Sequence, residues 1–93
     1  MRYSIAMSLQ RVIIDVREPF EFASGHVDGA INIPPAELMA GSVQLAEVPK
    51  DAELIVYCRS GARSNSSIKL LRRLGFSNLV NGINAEQVEA KYL

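Results

Sequence analysis

Cys58 is the only cysteine in 93 residues, and a run of charge and small side chains follows it: Cys58-Arg59-Ser60-Gly61-Ala62-Arg63-Ser64. A thiol becomes a good nucleophile near neutral pH when positive charge and hydrogen-bond donors surround the sulfur. This stretch offers both. Arg59 and Arg63 carry permanent charge, and Ser60 and Ser64 carry hydroxyls. Gly61 and Ala62 keep the loop free of bulk, so backbone N–H groups can curl round a ligand. The chemistry expected is an activated thiolate with room for an anion above it. A free cysteine acting as a small buried hydrophobe is the bland alternative. It suits a strand interior better than a strand end followed by Arg-Ser-Gly-Ala-Arg-Ser.

Such a loop needs rigid elements to hold it. Glu53-Leu54-Ile55-Val56-Tyr57 runs directly into Cys58, and its near-continuous apolar character is that of a strand buried on both faces of a parallel sheet. Val12-Ile13-Ile14-Asp15-Val16 reads the same way, and Ala30-Ile31-Asn32-Ile33 is a third strand. Residues 3–6 and 78–80 are weaker, shorter strand candidates. Beyond the loop, a helix over about 63–74 places Ile68, Leu71 and Leu74 on an inner face and Lys69, Arg72 and Arg73 on an outer one, with Gly75 ending it. Pro19 and Pro35 suit the first positions of two short helices that stop near Gly25 and Gly41. Asn84, with Gln87 three residues on, caps a last helix whose Ala85, Val88 and Tyr92 face inward.

Strands alternating with helices predict an α/β fold with a mainly parallel sheet. In such sheets ligands bind beyond the carboxyl ends of the strands, where Cys58 falls. The helix after it adds unpaired donors and roughly half a unit of positive charge. No repeat, linker or low-complexity tract interrupts the chain, so residues 1–93 read as a single domain.

Other reactive residues have plainer readings. Asp15 sits at a strand end with Arg17 two residues on, which suits a buried, paired carboxylate; a thiolate already formed needs no base. Both are supporting candidates should they fall near the loop. His26, the one histidine, lies in Gly25-His26-Val27-Asp28-Gly29 and reads as a turn residue satisfying backbone groups. Lys69, Arg72 and Arg73 default to a solvated helix face, the sharper alternative being a dock for an acidic partner. Met7, Met39, Phe20, Phe22, Tyr57 and Phe76 read as core or pocket rim.

Ten basic and ten acidic side chains cancel, which argues against a nucleic-acid or membrane-surface binder. The cancellation is not local. Residues 15–53 hold eight acids and two bases, whereas residues 58–73 hold five bases and no acid. A lone cysteine leaves no internal disulfide framework and no multi-cysteine metal site. No apolar run approaches the ~20 residues of a membrane span, and the first residues carry no secretory h-region. A soluble, cytoplasmic domain without metal is expected.

The motifs together resemble the rhodanese-like sulfurtransferases. Cys58-Arg59-Ser60-Gly61-Ala62-Arg63-Ser64 is similar to that family's active-site loop, and Ile14-Asp15-Val16-Arg17-Glu18-Pro19-Phe20-Glu21-Phe22 to its Asp-Val-Arg-Glu signature. Gly25-His26-Val27-Asp28-Gly29-Ala30-Ile31-Asn32-Ile33-Pro34, Leu74-Gly75-Phe76 and Leu79-Val80-Asn81-Gly82-Ile83 match its further segments. The chain departs where the family often has Gly-Gly followed by Trp: here stand Asn81-Gly82-Ile83, and there is no Trp.

The resemblance implies a three-layer α/β/α domain with about five parallel strands. It implies sulfur transfer by double displacement, with Cys58 carrying a persulfide, Arg59 and Arg63 binding an anionic donor such as thiosulfate, and loop amides from Ser60 to Ser64 stabilising the persulfide. The acceptor would be cyanide or a thiol, including a thiol on a partner protein; no cofactor, nucleic acid or membrane is implied. Related phosphatases place five residues between Cys and Arg, whereas four separate Cys58 from Arg63. That shorter cradle suits one sulfur better than a phosphate. Three alternatives stay open: a sulfur carrier or redox-sensing thiol without turnover, a phosphatase or arsenate reductase, and a plain binding module whose thiol titrates ordinarily.

Overall fold

The computed structural model describes residues 10–93, so the strand expected over 3–6 lies outside the described residues. The elements are β1 (Arg11–Asp15), α1 (Pro19–Ala23), β2 (Ile31–Asn32), α2 (Pro35–Ala40), a 3-10 turn (Val43–Leu45), β3 (Glu53–Tyr57), α3 (Ala62–Arg73), β4 (Asn78–Ile83) and α4 (Ala85–Tyr92). Among the described residues the sheet has four strands in the order β2-β1-β3-β4, all parallel.

Alternation along the two central strands divides the core. Ile14, Leu54 and Val56 face one side with Leu38 of α2 and Ile68 and Leu71 of α3. Ile13, Ile55 and Tyr57 face the other with Val27 and Val88 of α4, and Phe22 of α1 packs against them. Both faces are covered, which is why β1 and β3 read as continuous apolar runs. The result is the expected three-layer α/β/α arrangement. Each fully buried aliphatic contributes about 1.5–3 kcal/mol relative to exposure.

Chain order sets where a ligand can sit. From β1 the chain moves outward to β2, then returns past β1 to β3 and on to β4. The sheet therefore changes direction between β1 and β3, and their carboxyl ends diverge there into separate loops. Arg17 follows one end and Cys58 the other.

Two expectations are corrected at element ends. Leu74 is 43% exposed, not core: it caps α3 after the last inward turn, and its carbonyl accepts from Lys50 Nζ at 3.0 Å. β4 runs past residue 80 to Ile83, with a register shift opposite Val56 and Tyr57 that leaves Gly82 as the extra residue. Asn84 caps α4 as expected, its Oδ1 accepting from Gln87 N–H at 2.9 Å.

Candidate functional site

The sheet itself fixes the sulfur. Cys58 N–H donates to Ile83 O at 3.2 Å, extending the β3–β4 ladder by one residue, and Cys58 is 2% exposed. The chain then turns into α3 at Gly61, which takes φ +95° as the helix N-cap. A side chain is rarely tolerated at that φ, and a Cβ there would meet Ile83 Cγ2 at 3.4 Å. The turn brings Gly61 N–H to 3.1 Å from Sγ, and the thiol donates to Ser64 Oγ at 3.6 Å.

Burial pushes the Cys58 thiol up, but hydrogen bonds outweigh it. The amide and hydroxyl of Ser64, then the amides of Ser60 and Gly61, pull it from the usual thiol range down to about 7. The loop thus acts through its amides, as its small residues suggested. Ser60 and Ala62 are themselves exposed, and Ser60 contributes its backbone amide alone.

The arginines stand differently from expectation. Both point at Glu21, a residue sequence reasoning passed over. Arg63 Nη1 and Nη2 donate to Glu21 Oε1 and Oε2 at 2.8 and 3.2 Å, and Arg59 Nε donates to Oε2 at 3.0 Å. Glu21 also accepts from Glu18 N–H at 2.9 Å, holding the first turn of α1. The Arg63 guanidinium, then the Glu18 amide, keep the Glu21 carboxyl down at about 2. A carboxylate from the acidic segment thus pairs with two of the five bases that residues 58–73 carry in sequence, the two nearest the sulfur.

Asn81 is the second residue missed. Alternation along β4, with Leu79 on the α3 side, Val80 on the other and Asn81 in register with Val56, points Asn81 to the α3 side of the sheet. There its Oδ1 accepts from Ser64 Oγ at 2.7 Å and from Ile83 N–H at 3.0 Å, while Nδ2 donates to Gly61 O at 3.1 Å. One amide side chain therefore grips both loop residues that touch the sulfur. Ile83 pays in backbone strain, with φ +74°.

Asp15 and Arg17 form the buried pair expected of them. Asp15 is fully buried and takes Arg17 Nε at 3.0 and 3.1 Å and Nη2 at 2.7 Å. Tyr57 Oη donates to Asp15 Oδ2 at 2.8 Å and accepts from Val27 N–H at 3.0 Å. Burial, above all, pushes the Tyr57 hydroxyl up to about 12, so it stays a donor. His26 stacks on Phe22 at 3.6 Å between ring centroids, and its Nδ1 bonds the Phe22 carbonyl at 2.8 Å. It makes no contact with the thiol.

These elements meet round an open cavity of about 320 Å³ lined by Arg17, Cys58, Arg59, Asn84, Ala85 and Glu86. The structure thus brings Arg17 to the loop and leaves Arg63 off the lining. Among the described residues no cluster of His, Cys, Asp or Glu could hold a metal ion. None of their helices is long and apolar enough to cross a membrane.

Comparison with known proteins agrees with this geometry. A family model described as "Rhodanese-like domain" matches residues 4–85. A sulfurtransferase of Allochromatium vinosum is 33% identical over 70 residues, covering 75% of this chain and 63% of that protein. The chain spans less than two thirds of the length of such curated relatives, in some as little as 17%. A solved structure described as "rhodanese with anions from E. coli" superposes with a TM-score of 0.73 at 31% identity, covering 83% of this chain and 89% of that one. A single-domain sulfurtransferase from Saccharomyces cerevisiae gives 0.64 at 28% identity, covering 88% and 76%. A cysteine loop at the end of β3, a signature strand beside it and a match over most of the chain lead to one conclusion: this protein belongs to the rhodanese-like domain family.

Proposed function

We propose that the protein is a sulfurtransferase that carries sulfane sulfur from a small anionic donor, such as thiosulfate, to a thiophilic acceptor through a persulfide on Cys58. The Cys58 thiolate attacks the outer sulfur of thiosulfate. A sulfur–sulfur bond forms, the bond to the sulfonyl sulfur breaks, and sulfite leaves with the electron pair. Cyanide or a thiolate then takes the outer sulfur and restores the Cys58 thiolate. Gly61 N–H and the neighbouring amides stabilise charge on whichever sulfur bears it.

The observation that carries this reading is the sulfur's own setting: Cys58 Sγ accepts Gly61 N–H at 3.1 Å, on the wall of an open cavity with two arginines. The E. coli rhodanese, described as solved with anions, supports an anionic donor. The test is steady-state formation of thiocyanate from thiosulfate and cyanide. Parallel double-reciprocal lines are expected, with no turnover by Cys58→Ser. Hydrolysis of a phosphate ester in their place would favour the phosphatase reading. Single-round sulfur release without turnover would favour the carrier.

A further inference from the structure

We infer that the anionic donor is seated by Arg17 together with Arg59, and that Arg63 serves only from behind, through Glu21. This rests on the sulfurtransferase reading and assigns the residues that select its substrate by charge. Three arginines surround the loop, and their hydrogen bonds separate them. Arg63 spends both terminal nitrogens on Glu21 and does not line the cavity that Cys58 opens into. Arg59 spends only Nε there, and its side chain is 73% exposed, so its terminal nitrogens are free to move onto a ligand.

Arg17 is the fixed member. Its Nε and Nη2 edge is held by Asp15, and Nη2 also donates to Gly25 O at 2.7 Å. Nη1 has no partner among the described residues, and Arg17 lines the same cavity as Cys58. Asp15 balances most of its net charge, so Arg17 contributes a directed N–H more than a field. Arg17 arrives from the end of β1 and Arg59 from the end of β3, the two strands between which the sheet reverses. A rigid donor and a mobile one thus share the cavity with the thiol. Glu86 is the one carboxylate on its lining, which disfavours an anion at that rim.

The test compares alkylation of Cys58 by iodoacetate and by iodoacetamide. In both reactions the thiolate displaces iodide from a methylene carbon; the reagents differ in charge. Their rate ratio cancels the thiol's ionisation and reports the anion seat alone. It needs no sulfur transfer, so failure of the inference and failure of the sulfurtransferase reading are separate results. The unaltered protein should show a higher ratio than free cysteine. Arg17→Gln should lower it roughly tenfold, the size of one charge-assisted hydrogen bond. Arg17→Lys, which keeps a cation against Asp15 but loses the second arm, should lower it as well, and covers the case in which Arg17→Gln does not fold. Lys69→Gln, on the outer face of α3, should leave it unchanged. An unaltered ratio in either folded Arg17 variant overturns the inference, as does a ratio for the unaltered protein no higher than that of free cysteine.

Discussion

At the scale of single residues, one hydroxyl adds to what the loop amides do for the sulfur. Ser64 Oγ lies 3.6 Å from Cys58 Sγ and 2.7 Å from Asn81 Oδ1. Having one proton, it bonds Asn81 while the thiol is protonated and can turn to the sulfur once it ionises. Ser64→Ala removes that donor and should raise the Cys58 pKa by about one unit, a charged hydrogen bond being worth about 1.5–3 kcal/mol. The pH midpoint of iodoacetamide alkylation, expected at about 7 in the unaltered protein, reads the shift. Glu21 supplies a second pH dependence. Its folded value near 2 lies below the ordinary carboxylate range, so its stabilisation is complete above that range and is lost as pH falls towards 2. Thermal unfolding between pH 6 and pH 2 should show Glu21→Gln starting from a lower Tm and losing less of it. Cys58 and its loop were legible in the sequence because all their signals are local: an apolar strand, then charge and small residues, then a helix. Glu21 was not, since its partners stand 38 and 42 residues away and an acid in a first helical turn already has a local explanation.

At the scale of elements, the end of β4 does more than its sequence suggests. Asn-Gly ordinarily marks a tight turn, and the expected strand ended just before it, at residue 80. Here Asn81 and Gly82 stay in the sheet as a bulge, and tertiary packing requires the glycine. A Cβ on Gly82 would come to 2.5 Å from Val88 Cγ2 and 3.0 Å from Ile55 Cγ2, both in the core. Gly82→Ala should therefore cost about 1–3 kcal/mol by overpacking. At about 4–8 °C per kcal/mol for a domain of this size, calorimetry would resolve the loss. Asn81→Ala leaves the core intact but takes one partner from Ser64 Oγ and one from Gly61 O, which keeps the Asn65 N–H at 2.9 Å. It should change the Cys58 pKa when Ser64 is present and change it less in a Ser64→Ala background. Equal shifts in the two backgrounds would show that Asn81 does not act through Ser64. The family resemblance singled out residue 81 as a departure, yet only the packing of α3 onto β4 reveals the partners its side chain meets.

At the scale of the whole molecule, the fold's main task is to bring three strand ends to one point. β1 delivers Asp15 and Arg17, β3 delivers Tyr57 and Cys58, and β4 delivers Asn81 and Ile83. Tyr57 ties two of these ends together by bonding Asp15 and the Val27 amide from a fully buried position. Tyr57→Phe would leave a buried N–H and a carboxylate oxygen each short of a partner, at about 1–3 kcal/mol, visible as a lower urea midpoint at unchanged m-value. The α/β class and the position of Cys58 at a strand's carboxyl end followed from alternating segments and continuous apolar runs, and the three layers from the family resemblance. The strand order and the closing of Arg63 onto Glu21 did not, because both arise only when distant segments pack. Sulfur transfer by this fold requires that Cys58 accept sulfur, and the mass of the intact protein after incubation with thiosulfate tests this most directly. A gain of about 32 Da on Cys58, one sulfur atom, that is discharged by cyanide is the predicted result. An unchanged mass on a folded protein whose Cys58 still alkylates near neutral pH would contradict it.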